Sequence, residues 1–431
     1  MTTFKQLGLS PKLVQALDGL GFVQPSPIQE KTIPFILGSE NDLIALAQTG
    51  TGKTAAFSLP LLQQLADYSG KPAKGSPRAL ILAPTRELAA QIGESIQTYG
   101  RFLRLSHTVI CGGVPQKPQV KALNRGVDIV VATPGRLLDH MGEGKARLDL
   151  TSTVILDEAD QMLDLGFIHA LRRIAGLLPA ERQTMLFSAT MPKQMEEIAA
   201  SYLTHPKRVA VSPPGKAADK VTQEVHFIAK AAKPDLLIEC LGAHKGELAL
   251  VFGRTKHGSD KLARKLEQAG FAVAAIHGNK SQGQRERALQ AFRDGKVKVL
   301  VATDVAARGL DIPDVKHVYN FELPNVADNY VHRIGRTARA GRDGAAIAFC
   351  APEEMGELKD IQKVLGMTIP VASGRPWEVL PDPAAKKTGG PRRRGGGGFG
   401  GGGGAGGKPQ GKSGGRRRRG GSGGGARANA A

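Results

Sequence analysis

The sequence predicts an α/β protein of two parallel-sheet domains in tandem, followed by a disordered, basic, Gly/Arg-rich C-terminal tail. Three observations carry the prediction. Short apolar runs alternate with amphipathic stretches, a pattern that a parallel sheet covered on both faces requires. A Pro/Gly-punctuated polar stretch, "SPPGKAADK" at 212–220, interrupts the alternation once, and from about Asp382 the chain turns to Gly, Arg and Lys.

In order, the first five runs are "DLIALA" (42–47), "ALILAP" (79–84), "DIVVATP" (128–134), "TVILDEAD" (153–160) and "TMLFSAT" (184–190). After the interruption come "LALVFGRT" (248–255), "AVAAIHG" (272–278), "VKVLVATD" (297–304), "HVYNFELP" (317–324) and "AAIAFCAP" (345–352). This sets the first domain at 1–211, a linker at 212–220, the second domain at 221–381 and the tail at 382–431. A faint echo joins the halves: "VVATPGR" (130–136) and "LVATDVAAR" (300–308) both run from an apolar strand through Ala-Thr to an Arg. The tail cannot bury enough apolar surface to offset its ordering entropy, so disorder is expected there.

The 431 residues carry a net charge of +20. From Lys386 to Ala431 there are 12 Lys or Arg and no acid, which leaves +8 for everything before them. A surplus concentrated this way predicts a polyanionic partner. Cys111, Cys240 and Cys350 are scattered without C-x-x-C spacing, which argues against a disulfide framework or a cysteine zinc site and for a reducing compartment. His277 and the other histidines show no metal spacing, so no metal ligand beyond those for Mg²⁺ is expected. The start "MTTFKQLGLS" lacks an apolar h-region and no later run has membrane-span length, so a cytoplasmic protein with no membrane partner is expected.

"AQTGTGKT" (47–54) follows the first strand and should open a helix. It fits the phosphate-loop pattern except that Ala47 stands at the first Gly. Gly50 and Gly52 let backbone N–H groups turn toward phosphate oxygens at a helix N-terminus, Lys53 would reach the β- and γ-phosphates, and Thr54 would ligate Mg²⁺. The bland alternative is a Gly-rich turn. "VILDEAD" (154–160) ends a buried strand with three carboxylates in four residues, which would repel one another without a cation. Asp157 suits the Mg²⁺ held by Thr54, partly through water, and Glu158 suits orienting and deprotonating an attacking water. The same acids could merely begin a helix, where its dipole favours them.

Taken in order, the motifs resemble those of the DEAD-box RNA helicases of superfamily 2, from about Phe4 to Gly341. The resemblance implies RecA-like domains, ATP and Mg²⁺ as cofactors, and RNA, duplex or single-stranded, gripped by its backbone. "GFVQPSPIQ" (21–29) matches the family's Q motif; Gln29 would pair with the adenine edge and Phe4 would stack on the base, while the loop residues Thr49 and Thr51, with Asp311, complete the nucleotide contacts. "PTRELAAQ" (84–91), "GG" (112–113) and "TPGR" (133–136) match RNA-backbone motifs, which assigns RNA contact to Pro84, Thr85, Arg86, Gly113, Thr133, Pro134, Gly135 and Arg136. Gly278 in "HGNKSQGQR", and Thr303 and Arg308 in "ATDVAARGLD", take the same role in the second half. "SAT" (188–190) matches the segment coupling hydrolysis to strand separation, so Ser188 and Thr190 join Asp160 and His332 as coupling residues.

"HRIGRTARAG" (332–341) spaces Arg333, Arg336 and Arg339 three apart behind His332, so a shared anion is expected, with a solvated basic face as the bland alternative. By the resemblance that anion is the triphosphate held by the first domain, with Arg336 and Arg339 as arginine fingers. Ala338 stands where many members have Gly, a change expected to matter little. "DLGFIHALRRI", "FGRTKHG" and the tail look most like the bacterial RhlE branch. An RNA-dependent ATPase that locally unwinds or remodels RNA duplexes and ribonucleoproteins is the resulting expectation, in ribosome assembly or RNA turnover, with ribosomal precursors or RNA-degradation proteins as partners. An RNA annealer whose ATPase only sets residence time, and a DNA-directed motor, are the alternatives; Lys53, Glu158 and Arg336 favour the first reading over the annealer, and the "DEAD" sequence and the Q motif disfavour the DNA motor.

Overall fold

The computed structural model describes residues 2–48, 50–211, 221–307, 315–338 and 344–377. Thr49, Arg308, Asp311, Arg339, the 212–220 stretch and the 382–431 tail lie outside the described residues. The first sheet comprises β1 (Leu43–Leu46), β2 (Ala79–Leu82), β3 (His107–Ile110), β4 (Ile129–Ala132), β5 (Thr153–Leu156), β6 (Gln183–Ser188) and β7 (Lys207–Ala210). The second comprises β8 (Val221–Phe227), β9 (Ala249–Gly253), β10 (Val273–Ile276), β11 (Val299–Thr303), β12 (His317–Asn320), β13 (Gly344–Cys350) and β14 (Val371–Ser373). Both are parallel throughout, as strands joined by helical crossovers must be.

The strand order is β3-β4-β2-β5-β6-β1-β7 in the first sheet and β10-β11-β9-β12-β13-β8-β14 in the second. Each strand of the second occupies the place of the strand seven earlier, so the halves are two copies of one RecA-like α/β topology. The echo between "VVATPGR" and "LVATDVAAR" falls on β4 and β11, which hold the same place in their sheets.

Central strands read as continuous apolar runs because both faces are covered. In β1, Leu43 and Ala45 pack into one core with helix Lys53–Ala66, while Ile44 points into the core on the other face with Leu80, Leu82 and Val154. In β9, Leu250 and Phe252 face one core and Ala249 and Val251 the other. Alternation of side chains across a strand thus produces two cores per sheet.

This order fixes where chemistry can sit, since ligands of open α/β sheets bind beyond the carboxyl ends of strands. The glycine loop follows β1, "DEAD" ends β5 and "SAT" ends β6, and those three strands are adjacent. "PTRE", "GG" and "TPGR" follow β2, β3 and β4, the other adjacent trio. Two motif groups therefore lie side by side along one edge of the first sheet.

Candidate active site

Gly52 caps the helix Lys53–Ala66 with a left-handed backbone, φ 90°, and Gly50 has φ 85°. A Cβ on Gly52 would lie 2.4 Å from Gln29 Nε2, so only glycine brings the loop this close to the Q motif. Gln29 donates from that nitrogen to the Gly52 carbonyl at 3.1 Å, and its Oε1 accepts from the Ser26 N–H at 2.9 Å, closing a capping box on helix Pro27–Gly38. The Gln29 amide thus braces the loop it was expected to serve, and one of its N–H donors remains beyond that bond. Thr51 closes the loop from within, its hydroxyl donating to the Gln48 carbonyl at 2.7 Å.

Lys53 is 6% exposed, and its ammonium has no hydrogen-bond partner among the described residues. An orphaned buried cation is costly, so this position fits an anion held at the start of the helix. Thr54, half-buried, is the helix's second residue. Asp157 accepts the Glu158 N–H at 3.0 Å; burial, opposed by the Lys53 cation and reinforced by the Glu158 charge, pushes its carboxyl up to about 7. Hard oxygen donors this deeply buried fit a divalent cation such as Mg²⁺, which would favour the ionised form. Glu158 has φ 49° and ψ 50°, a left-handed backbone that a β-carbon disfavours. Strain of this kind gathers at functional sites.

Asp160 is the hub of the acidic motif. Its Oδ2 accepts from the Ala189 N–H at 3.1 Å, the Thr190 N–H at 2.9 Å and the Thr190 hydroxyl at 3.0 Å, and its own N–H donates to Ser188 Oγ at 3.3 Å. From the second domain, His332 Nε2 approaches the same oxygen at 3.9 Å. Arg336 is buried and its Nε donates to the His332 carbonyl at 3.3 Å. Asp160 thereby gathers the other three residues expected to couple the domains, Ser188 at its N–H and Thr190 and His332 at its carboxylate, with Arg336 bonded to the His332 carbonyl behind them.

Arg333 does not join its neighbours at a shared anion. Arg333 is consumed within its own domain: Nε and Nη2 clasp Asp304 at 2.5 and 2.8 Å, while Nη1 donates to Asn320 Oδ1 at 3.0 Å and the Glu322 carbonyl at 2.6 Å. Helix Ala327–Ile334 ends before Arg336, so that residue leaves the helical face. Ala338 also departs from expectation, since its φ of 53° lies in the left-handed region; the methyl adds strain two residues from Arg336. Phe4, expected to stack on a base, is 4% exposed in the first core and meets Phe22 edge-on at 6.2 Å. It has the place of a core residue rather than an open stacking platform.

The second motif group also converges. A Cβ on Gly113, φ 75°, would lie 1.8 Å from Arg86 Nη1, and one on Gly112 would lie 3.7 Å from Arg86 and 3.9 Å from Arg136. Two guanidiniums therefore flank one Gly-Gly turn. Thr85 caps helix Arg86–Tyr99 by accepting from the Leu88 N–H at 3.2 Å, and Thr133 precedes helix Pro134–Gly142, where Pro134 begins the first turn and Gly135 is open. Helix N-termini beside arginines form a surface suited to phosphates. Pro84, after β2, precedes that cap; Gly278 sits against Lys256, and Thr303 ends β11, in the place of β4.

Models of two families match the chain: DEAD/DEAH box helicase over residues 26–198, and helicase conserved C-terminal domain over residues 232–341. The DEAD-box ATP-dependent RNA helicase CshA of Geobacillus kaustophilus is 44% identical over 363 residues, 84% of this chain and 76% of that protein. The chain belongs to the DEAD-box helicase family. CshA of Bacillus subtilis is likewise 44% identical, over 84% of this chain and 72% of its own length. Among solved structures, Dbp5 of S. cerevisiae bound to RNA and ADP BeF3 is similar with a TM-score of 0.77 and 34% identity, covering 87% of this chain and 96% of that one.

In this helicase the two domains also meet at a pair that sequence reasoning passed over. Arg285 Nη2 lies 3.0 Å from Glu87 Oε1, with side chains 12% and 5% exposed. Glu87 stands beside Arg86 in "PTRELAAQ" and Arg285 ends "HGNKSQGQR". Their opposite charges, in two motifs of different halves, were the available signal. Among the described residues no helix is long and apolar enough to cross a membrane.

Proposed function

We propose that this helicase hydrolyses ATP in response to RNA and, through closure of its two domains, separates or remodels short stretches of RNA duplex and ribonucleoprotein. The observation that carries the reading is Asp160: one carboxylate oxygen receives the "SAT" segment of its own domain and faces His332 of the other. A shift of either domain is felt at the acidic motif. Lys53 holds the terminal phosphates, Thr54 and Asp157 hold Mg²⁺ partly through water, and Glu158 orients and deprotonates the attacking water. Mg²⁺, when bound with the nucleotide, supplies charge neutralisation at the phosphates. Arg336, and Arg339 from outside the described residues, neutralise the charge that grows on the transferring group. Gln29 reads adenine while bracing the loop, with Gly50, Gly52 and Asp311 alongside.

RNA is the proposed ligand of the Arg86, Gly113 and Arg136 surface, with Pro84, Thr85, Thr133, Pro134, Gly135, Gly278, Thr303 and Arg308. Likeness to RNA-bound Dbp5 supports this. Domain limits at 211 and 221, a cytoplasmic location, and a place in ribosome assembly or RNA turnover are proposed with it. The RhlE branch rests on two phrases and the tail; the relatives above carry the CshA name and support the family, not the branch. ATP turnover measured without nucleic acid, with RNA and with DNA of equal length tests the reading. Stimulation by RNA alone is expected, and equal stimulation by DNA, or none, would overturn it.

A further inference from the structure

We propose that the second domain carries a site for a divalent transition-metal ion, built from His244, Glu247 and His317 and separate from the Mg²⁺ position. One donor atom from each lies within 4.8 Å of the others. The spacing escaped sequence reasoning because His317 is 70 residues from Glu247. The fold brings them together. His244 caps the end of helix Lys233–Ala243, and the Glu247 N–H donates to the His244 carbonyl at 3.1 Å, closing a turn that Gly246, φ 100°, makes possible. The Leu248 carbonyl then accepts N–H groups of Lys316 at 3.0 Å and His317 at 3.4 Å, pinning the turn beside the start of β12.

Within this frame the His244 and His317 rings overlie each other, centroids 3.9 Å apart and planes 24° apart, and His317 Nε2 meets Glu247 Oε2 at 2.5 Å. His317 Nδ1 is buried and has no hydrogen-bond partner among the described residues. Two imidazoles and a carboxylate are a common donor set for zinc with an open fourth position. Bonds of ~2.0–2.2 Å in a tetrahedron place donor atoms ~3.3–3.6 Å apart, so the present spread must contract by roughly 1.5 Å at most. His244 and Glu247 are exposed and can rotate toward the anchored His317. Zinc, or another late first-row ion, suits imidazole and carboxylate, whereas Mg²⁺ prefers oxygen donors throughout.

The place is distinct from the helix that carries His332. His317 shares the face of Tyr319, which packs with Ala249, Val251 and Phe349, whereas helix Ala327–Ile334 packs through Tyr330 and Ile334 on Ala346 and Ala348, the opposite face of the sheet.

The test uses the full chain titrated with Co²⁺ alone, followed by Zn²⁺ alone. One equivalent of Co²⁺ should develop visible d–d absorption without the near-ultraviolet band of thiolate ligation, and one equivalent of Zn²⁺ should abolish it. His244→Ala and Glu247→Gln, both at exposed positions, should each weaken binding by at least the ~10–100-fold that loss of a supporting group costs at metal sites. His317→Ala should abolish it, and the two exposed variants keep the test decisive where removal of a buried ring unfolds the domain. Absence of the absorption at stoichiometric metal, a thiolate band, or equal affinity in the two exposed variants would overturn the proposal, leaving a stacked and hydrogen-bonded histidine pair.

Discussion

Replacing Glu87 or Arg285 by Gln should weaken the closed state of the two domains far more than either domain's own stability. The charged atoms lie 3.0 Å apart. At an effective dielectric near 20 their gross attraction is ~5 kcal/mol, most of which is offset by the desolvation of two nearly buried groups. Truncating one partner is different, because the other charge then stays buried and uncompensated at a cost of ~2–5 kcal/mol. When the domains separate both groups regain water, so this cost falls on closure alone. Taking the low end, ~2 kcal/mol corresponds to roughly a 30-fold loss in the population of the closed form. RNA affinity in the presence of a non-hydrolysable ATP analogue should drop by about that factor in each single variant. In the double variant the loss should be smaller than the product of the two, with a coupling of ~1–2 kcal/mol typical of residues that touch. RNA affinity without nucleotide should change little. Independent effects of the two substitutions, or unchanged affinity in the singles, would refute the idea that this pair fastens the domains.

Glu158→Gln should retain ATP and RNA binding and lose turnover by ~10²-fold or more, the usual cost of removing a positioned acid–base group; single-turnover hydrolysis checks it, and a rate within a few-fold of the parent removes Glu158 from that role. Ala338→Gly should stabilise the protein by ~0.5–1 kcal/mol, because relief of ~1–2 kcal/mol of left-handed strain outweighs the extra chain entropy of glycine, and urea unfolding that shows a loss would refute the strain. Truncation after Ala385 removes 12 positive charges and no acid. It should raise the RNA concentration for half-maximal ATPase, leave the maximal rate in place and reduce the log–log salt slope of RNA binding by ~0.7 for each phosphate the tail no longer neutralises; an unchanged slope would make the tail a spacer or a protein-binding segment.

The central strands and the tandem arrangement were legible because a parallel sheet covered on both faces demands apolar runs, and those runs are local; β3, β7, β8 and β14 were not, because they are partly exposed or alternate buried with exposed residues and so form no continuous apolar run. The glycine loop and the acidic motif were legible for a similar reason, since each is a contiguous string whose chemistry depends on its own backbone. Beyond those strands, what escaped was decided by partners distant in sequence. The spacing of Arg333, Arg336 and Arg339 suggests one shared anion, yet Asp304 claims Arg333 from the end of β11. Phe4 carries the same side chain whether it faces a base or a core, and only the path of the following helices decides. Ala338 reads as a minor change because a sequence does not display φ. Glu87 and Arg285 each sit inside a contiguous motif, but their pairing exists only once the two domains meet.

The same distinction bears on the proposed division of catalysis between two similar sheets. In the first domain the buried Lys53 ammonium and the Asp157 and Glu158 carboxyls stand at the ends of β1 and β5, the two strands flanking β6, so on the proposed reading this domain alone carries the charges that would hold a metal nucleotide. A further cation fixed there would stabilise the ground state as much as the transition state, and equal stabilisation does not raise the rate of the chemical step. With Arg336 on the second domain, behind His332 and its approach to Asp160, the proposed finger would be conditional on the domains being together. On that reading, closure that depends on RNA would make hydrolysis depend on RNA, because the charge that favours the transition state would arrive only with the partner domain.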